Sequence, residues 1–216
     1  MNERMRIDLW SDFSCPWCYV GAARLEKAVQ ASPHADQIEI VPRAFELDPG
    51  APKVPVAVTT YVAKRMGWSE ADTLRQLDSM LPLTEAEGLP YKSDRVAANT
   101  FDAHRVLQLA TTTGHGPRFL AELQLALFGG RMDTFDHAFL VATAEGVGVA
   151  RERAEQVLAS DEFADVVRGD QAEAQQLGVT GVPFTVVDAR YGIPGAVPLD
   201  TFTQAIDEAW SARGSQ

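Results

Sequence analysis

The stretch Asp12-Phe13-Ser14-Cys15-Pro16-Trp17-Cys18-Tyr19 holds both cysteines of this 216-residue chain, in a C-x-x-C spacing. It follows a predicted strand at 6–10 and opens a predicted helix at 15–31, for which Ser14 is a suitable N-cap. At a helix start, unpaired N–H groups and the helix dipole favour an anion, here the Cys15 thiolate. Cys18 lies one turn along, near enough to attack a mixed disulfide on Cys15. The position of the motif therefore predicts dithiol–disulfide chemistry.

Three plainer explanations of the cysteine pair compete with redox chemistry. A structural disulfide is uncommon in a reducing cytosol, and two inert thiols do not require a strand before them and a helix after them. A zinc site needs two further ligands, but the histidines of the chain are not spaced as pairs. These histidines are His34, His104, His115 and His137. We therefore predict redox chemistry, and no metal, at Cys15 and Cys18.

The rest of the chain consists of two α/β segments around a helical stretch. A strand at 37–45 completes a β-α-β unit with the elements at either side of the cysteines. Near the other end, strands at 183–187 and 191–193 precede a closing helix at 199–213. Between these segments, the apolar residues of 55–178 recur with a helical period, which predicts helices and no strand in the interior of this stretch.

This pattern predicts two domains that are not both continuous in the chain. Residues 1–54 and 179–216 together have the size of one small α/β domain. Residues 55–178 form an all-helical insertion in it, which we expect to cover the face that carries the cysteines. The sequence leaves open to which of the two domains the last predicted helix of the insertion, at 161–177, belongs.

The segment Gly181-Val182-Pro183-Phe184 begins a strand directly after a long predicted helix. Proline has no place at the head of a central strand unless its missing N–H is put to use. A cis Val182–Pro183 bond turns the chain sharply and leaves the Val182 backbone free to pair with an extended substrate. An ordinary trans proline in a turn is the alternative, and trans is much the commoner form of X–Pro bonds.

The composition argues against several classes of partner. Acidic residues outnumber basic ones by 30 to 19, which gives a formal charge of −11, whereas a phosphate backbone or an anionic membrane favours basic patches. No apolar run approaches the ~20 residues that span a bilayer. Charges at Glu3, Arg4 and Arg6 leave no room for the apolar core of a signal peptide. We therefore predict a cytoplasmic protein with neither nucleic acid nor membrane as its partner.

Four motifs together resemble those of a known family. They are Asp12-Phe-Ser-Cys-Pro-Trp-Cys-Tyr19, Phe45-Glu-Leu-Asp-Pro49, Asn99-Thr-Phe-Asp-Ala-His-Arg105 and Gly178-Val-Thr-Gly-Val-Pro-Phe184. The series resembles the FrnE-type DsbA family of thiol–disulfide oxidoreductases, in the thioredoxin-like superfamily. This resemblance implies a thioredoxin fold with an all-helical domain inserted between the second and third core strands. It also implies that Cys15 is the nucleophile, Cys18 the resolving thiol and Pro183 a cis-proline, with Val182 and Pro183 forming a substrate loop that faces the cysteines.

Other candidate site residues lie near the motif or on the insertion. Trp17 stands between the cysteines and is expected to face outward as part of a substrate site, and Phe13 is a candidate to line the same cleft. Asn99 and His104 lie on a helix predicted to start at the cap Ser93-Asp94. His104 resembles the family's histidine, and it either lines the cleft or packs in the core.

One position departs from the thioredoxin pattern. Thioredoxins place a buried acid six residues before the first cysteine, and Leu9 occupies that position here. The group that accepts the Cys18 proton is therefore left open. Asp12 is one candidate, and the alternative is that Asp12 is simply a polar loop residue.

The predicted function is an enzymatic one, dithiol–disulfide exchange on a disulfide or dithiol substrate, without a metal, flavin or nucleotide cofactor. Two alternatives use the same scaffold. One is a glutathione-dependent isomerase similar to the 2-hydroxychromene-2-carboxylate isomerases, with glutathione as a substrate, although these typically lack the paired cysteines. The other is a non-catalytic chaperone or binding module. The sequence leaves open the physiological substrate, the recycling partner and the oligomeric state.

Overall fold

The computed structural model describes residues 4–213 and shows a mixed α/β fold around a central sheet. In chain order its elements are β1 (Met5–Ser11), α1 (Pro16–Ala31), β2 (Ile38–Ala44), β3 (Val56–Ala57), α2 (Val58–Met66), α3 (Glu70–Asp78), α4 (Leu81–Ala86), β4 (Val96–Ala97), α5 (Phe101–Thr112), α6 (Gly116–Phe128), α7 (His137–Val147), α8 (Arg151–Leu158), α9 (Ala164–Gln176), β5 (Phe184–Val187), β6 (Tyr191–Pro194) and α10 (Leu199–Arg213). Among these residues, no helix is both long and apolar enough to cross a bilayer.

The sheet has four strands in the order β2-β1-β5-β6. Strand β1 is parallel to β2 and antiparallel to β5, and β5 is antiparallel to β6. The parallel pair is joined by α1, which packs beside α10. This topology is the thioredoxin fold that the motifs imply, and it places the start of α1 directly after the carboxyl end of β1.

A single apolar core joins the sheet to the helical stretch. Its members come from β1, α1, β5 and α10 on one part of the chain, and from α5, α6, α7 and α8 on the other. Ile7 of β1, Phe119 of α6 and Ile206 of α10, for example, belong to the same cluster and are almost fully buried. The helices from α5 to α8 are therefore packed on the sheet and do not form a separate core.

The predicted start of α5 is wrong by several residues. The cap expected at Ser93-Asp94 does not open a helix, because Val96 and Ala97 pair with Val56 and Ala57 as a short antiparallel ribbon, β3–β4. Helix α5 begins only at Phe101, whose N–H donates to the Asn99 side-chain oxygen at 3.0 Å. The two-residue β4 is a strand inside the stretch for which none was expected, but no strand of four or more residues lies in 60–175, all of which the structure describes, and the stretch is otherwise helical as predicted.

Helix α9, whose membership the sequence leaves open, is joined to the sheet by Asp170. The Asp170 carboxylate accepts hydrogen bonds from the Ala44 N–H at 2.8 Å and from the Arg43 guanidinium at 2.7 Å, both on β2. It also accepts one from the Gln108 amide of α5 at 2.7 Å. The Asp170 carbonyl accepts a further bond from the Trp10 indole of β1 at 3.0 Å. One buried residue thereby connects α9, the parallel strands β1 and β2, and α5.

Candidate active site

The two cysteines occupy the first turn of α1 as free thiols. Cys15, and not Ser14, is the N-cap: its backbone is extended, with φ −85° and ψ 114°, and its sulfur accepts the Cys18 N–H at 3.4 Å. A side chain that accepts a bond from the residue three positions later satisfies one of the unpaired N–H groups of the helix start. The Cys15 sulfur therefore lies where the helix start favours negative charge.

Cys18 is the more deeply placed of the two thiols. It is 0% exposed, against 5% for Cys15, and its sulfur accepts the Asp12 N–H at 3.5 Å. Burial, and then the neighbouring Cys15, raises the pKa of the Cys18 thiol well above its ordinary value. Cys18 is consequently a thiol at neutral pH in the dithiol form, as a resolving cysteine should be until the nucleophile has reacted.

The Val182–Pro183 segment lies next to the Cys15 sulfur, and its peptide bond is cis. The Cys15 thiol points at the Val182 carbonyl, with the sulfur and the oxygen 3.6 Å apart. The loop approaches α1 closely at Gly21, where an added Cβ would lie only 2.9 Å from the Pro183 Cγ. The absence of a side chain at Gly21 therefore lets the loop reach the cysteines.

A cleft of about 380 Å³ opens beside Cys15. On the side of the motif it is lined by Asp12, Cys15 and Trp17, and Trp17 is 48% exposed. The opposite lining comes from the helical stretch, chiefly from α2, from α3 and from the residues around the β3–β4 ribbon. The insertion thus covers the face that carries the cysteines, as expected, and leaves a pocket of small-molecule size there.

Residues 6–207 match the DSBA-like thioredoxin domain family. The chain belongs to this family. Among solved structures, this DSBA-like protein is similar to a probable DsbA oxidoreductase from Streptomyces coelicolor, at 44% identity with a TM-score of 0.87, over 96% of this chain and 91% of the other. The family's members are disulfide oxidoreductases or isomerases, so we describe the chain as an enzyme.

Two more distant matches extend along nearly the whole chain, one in sequence and one in structure. The uncharacterized protein YwbO from Bacillus subtilis is 25% identical over 207 residues, which are 94% of this chain and 96% of YwbO. A 2-hydroxychromene-2-carboxylate isomerase of known structure is 17% identical with a TM-score of 0.70, and 98% of each chain is covered. At that identity the likeness concerns the fold alone.

Two residues predicted as candidates for the cleft lie in the core of the DSBA-like protein instead. Phe13 is 0% exposed, and its ring packs against His104 at 4.9 Å and edge-on against Phe119 at 6.1 Å between centroids. His104 is also 0% exposed and does not line the cleft. The loop after β1 turns Phe13 into the apolar core, and helix α5 presents His104 to it from the other side of the contact. Packing is therefore the role that the structure gives to His104.

Asn99 is not on α5 and does not line the cleft beside Cys15. It precedes the helix, and its amide donates to the Pro49 carbonyl at 3.0 Å while its N–H donates to the Pro52 carbonyl at 2.9 Å. These bonds, with the one to Phe101, hold the loop after β2 against the start of α5. Asn99 is thus a loop anchor, and the prediction of a cleft role was wrong.

Asp12 lies in the loop after β1, where it is buried and its carboxylate accepts backbone hydrogen bonds. It is 1% exposed, and its carboxylate accepts the Ser14 N–H at 3.1 Å and the Leu47 N–H at 2.8 Å. Leu9, at the position of the thioredoxin acid, is 2% exposed in the core. The acid whose backbone N–H contacts the Cys18 sulfur is therefore Asp12, in the loop after β1.

The burial of His104 predicts a pH dependence of stability. Both ring nitrogens lack a hydrogen-bond partner of ordinary geometry among the described residues, and burial lowers the pKa of His104 to about 4. Because the folded-state value is the lower one, protonation favours unfolding. The stabilisation by neutral His104 is complete above about pH 6.5, the ordinary histidine value, and is lost as the pH falls towards 4.

We expect His104→Leu to reduce this loss of stability at low pH. Between pH 6.5 and 4, the wild-type free energy of unfolding should fall by about 3 kcal/mol more than that of His104→Leu. Urea denaturation at a series of pH values measures this difference. His137→Gln is the control, because the His137 side chain is 57% exposed and its replacement should change the profile by less than about 1 kcal/mol. Parallel profiles for the wild type and His104→Leu would show that His104 does not titrate as described.

Three side chains of the cleft carry polar chemistry that sequence reasoning missed. They are Tyr61 and Arg65 of α2 and Arg95 of the ribbon. None belongs to a local motif, since the ribbon and the folding of α2 over Cys15 bring them to the site. The sequence feature that could have indicated these residues is the presence of arginines in a stretch whose apolar pattern predicts packed helices.

Proposed function

We propose that this DSBA-like protein catalyses dithiol–disulfide exchange, with Cys15 as nucleophile and Cys18 as resolving thiol. The observation that carries the proposal is the unequal placement of the two sulfurs. Cys15 caps α1, borders the cleft and lies 3.6 Å from the Val182 carbonyl. Cys18 is fully buried and protonated. Only Cys15 is placed to meet a substrate first.

The exchange proceeds in two steps. The Cys15 thiolate attacks one sulfur of a substrate disulfide, the substrate S–S bond breaks, and one substrate thiolate leaves. Cys18 loses its proton and attacks the Cys15 sulfur, which releases the second substrate thiolate and leaves a Cys15–Cys18 disulfide. Two electrons have then passed from the protein to the substrate, and the reverse sequence oxidises a substrate dithiol.

The substrate loop supports the same chemistry. The backbone of Val182 lies at the reacting sulfur, and Pro183 is the first residue beyond it. A substrate in an extended conformation can pair with this backbone, as a peptide pairs with an exposed strand edge. We propose Val182 and Pro183 as substrate-binding residues, and Trp17 as an exposed apolar contact at the mouth of the cleft.

The proposal is tested by trapping with Cys18→Ser, incubated separately with oxidised glutathione and with insulin. We expect a mixed disulfide on Cys15, detected by intact mass and peptide mapping and removed by dithiothreitol, because the second step is blocked. The double variant Cys15→Ser/Cys18→Ser is the control and should form no adduct. Failure of Cys18→Ser to form an adduct with either probe would contradict the proposal and favour a non-catalytic module.

The isomerase alternative rests on likeness of fold, and the same experiment separates it from exchange. A glutathione-dependent isomerase has no need of a resolving thiol or of disulfide chemistry, so its Cys18→Ser variant should form no mixed disulfide on Cys15 with oxidised glutathione. The presence of both cysteines in one helical turn favours exchange.

A further inference from the structure

The cleft beside Cys15 contains a buried arginine that the exchange mechanism does not use. Arg95 stands immediately before β4, and its carbonyl accepts the Val58 N–H at 2.9 Å, so the ribbon fixes its backbone. The residue is 3% exposed and lines the cleft together with Cys15. An arginine keeps its charge in proteins, and a buried charge is costly unless it is paired.

Aromatic rings support the Arg95 guanidinium from one side. Its central carbon lies 5.2 Å from the centroid of the Tyr91 ring and 5.0 Å from that of the Phe128 ring. These two rings are themselves stacked, 14° from parallel. Cation–π contacts of this kind hold the guanidinium plane in place, but they leave its N–H donors without acceptors.

The described residues leave polar atoms of Arg95 and of its neighbour Tyr91 without hydrogen-bond partners. Arg95 Nη1 and the Tyr91 hydroxyl are both buried and lack partners of ordinary geometry. Burial lowers the pKa of Arg95, and the groups that oppose this shift are Tyr91 and Cys15, with no carboxylate among them. A buried cation and a neighbouring hydroxyl thus line the cleft without a carboxylate of the described residues to pair with.

The second arginine of the cleft, Arg65, is paired with a carboxylate and serves as the comparison for Arg95. Arg65 contacts the Asp48 carboxylate, which also accepts a hydrogen bond from the Tyr61 hydroxyl. The Arg65 guanidinium donates in addition to the Leu47 carbonyl at 3.2 Å. The positive charge of Arg65 is therefore compensated within the chain, and the charge of Arg95 is not.

We propose that Arg95 and Tyr91 bind a carboxylate of a small disulfide or thiol substrate, whose sulfur then reaches Cys15. This inference rests on the proposed exchange function and adds the chemical class of its substrate. A guanidinium with free N–H donors matches the geometry of a carboxylate. The volume of about 380 Å³ falls within the range of about 300–1,000 Å³ that holds small molecules. A small molecule is favoured because a 3% exposed side chain lies beyond the reach of acidic groups on a folded protein surface.

Two chromogenic aromatic disulfides test the inference. Dithiobis(nitrobenzoate) carries a carboxylate on each ring, whereas dithiodipyridine is uncharged, and the reduced protein attacks both by the two steps described above. We expect Arg95→Gln to lower the ratio of the second-order rate constants, carboxylate probe over neutral probe, by about tenfold or more, since a charge-assisted hydrogen bond is being lost. Any effect of Arg95 on the Cys15 sulfur itself acts on both probes and cancels in this ratio.

Two control variants define the effect. Arg95→Lys retains the charge and should keep part of the preference for the carboxylate probe. Arg118→Gln makes the same change in net charge at an exposed position of α6 outside the cleft and should leave the ratio within about twofold of the wild type. An unchanged ratio in Arg95→Gln, with both rates measurable, overturns the inference.

A measurement on the wild type does not depend on whether the variants fold. Nitrobenzoate should protect Cys15 against dithiodipyridine, and the uncharged nitrobenzamide should not. Equal protection by both, or by neither, contradicts a carboxylate site. If the wild type reacts with neither disulfide faster than Cys15→Ser does, the exchange function itself is what fails.

Discussion

Replacing Cys15 with Ser is expected to lower catalysed disulfide exchange by at least about a thousandfold, because the nucleophile that forms the covalent intermediate is removed. Cys18 cannot substitute for it, since its sulfur is 0% exposed and burial raises its pKa. The measurement is the rate of insulin reduction with dithiothreitol as the electron donor. The expected loss exceeds what any change in the packing of the site should produce.

Cys18→Ser is the matched control for this prediction. It should keep the first step, seen as a single stoichiometric reaction with dithiodipyridine, while losing turnover. Limited alkylation of the reduced wild type should accordingly label Cys15 before Cys18. If Cys15→Ser retained more than about a tenth of the wild-type rate, or if alkylation labelled Cys18 first, the assigned roles would be reversed.

The second large effect is expected on stability, for Asp170→Ala. This change leaves the Ala44 N–H and the Gln108 amide without their buried acceptor, and it removes one carboxylate partner of the Arg43 guanidinium, which keeps Asp8. Breaking such a pair costs about 3–5 kcal/mol, and urea denaturation at 25 °C measures the loss. Burial raises the pKa of Asp170 despite the nearby Arg43, so the negative charge itself is not the stabilising feature. Asp170→Asn, which keeps one acceptor oxygen, should therefore cost less than Asp170→Ala.

Asp165→Ala is the control on the same helix. The Asp165 side chain is fully exposed and its contact with Arg168 is a long one of 3.7 Å. Removing it should cost less than about 1 kcal/mol, the range of a surface charge near a helix start. Equal losses for the two variants would mean that Asp170 does not join α9 to the sheet in the way described.

The elements of the sheet could be predicted because each has a clear local signal. Strand β1 alternates apolar and polar residues, and the predicted strand at 37–45 agrees with β2 to within one residue at each end. The start of α5 could not be predicted in this way. Two-residue strands such as Val96–Ala97 have no period to detect, and their partners at Val56–Ala57 lie far away in the chain.

The residues of the candidate site also differ in whether a local sequence signal predicts them. Cys15, Cys18 and the Val182–Pro183 pair are local motifs, and the structure brings them to one point. Phe13 and His104 have the residue types of a site but are buried in the core, and local sequence does not reveal which side of the Phe13 loop, or which face of α5, packs inward. Arg95 is the opposite case, because its environment is made entirely by segments distant in sequence.

The shared core has a consequence for how this protein can be dissected. Ile7, Phe119 and Ile206 belong to one apolar cluster. The helical stretch therefore cannot be deleted and replaced by a short linker without loss of part of this core. Such a deletion would strip one face of the sheet and expose the residues that now contact α5 and α6. The helical stretch that covers the reactive thiol therefore also buries one face of the sheet, and its removal should unfold the whole protein and not only uncover the cleft.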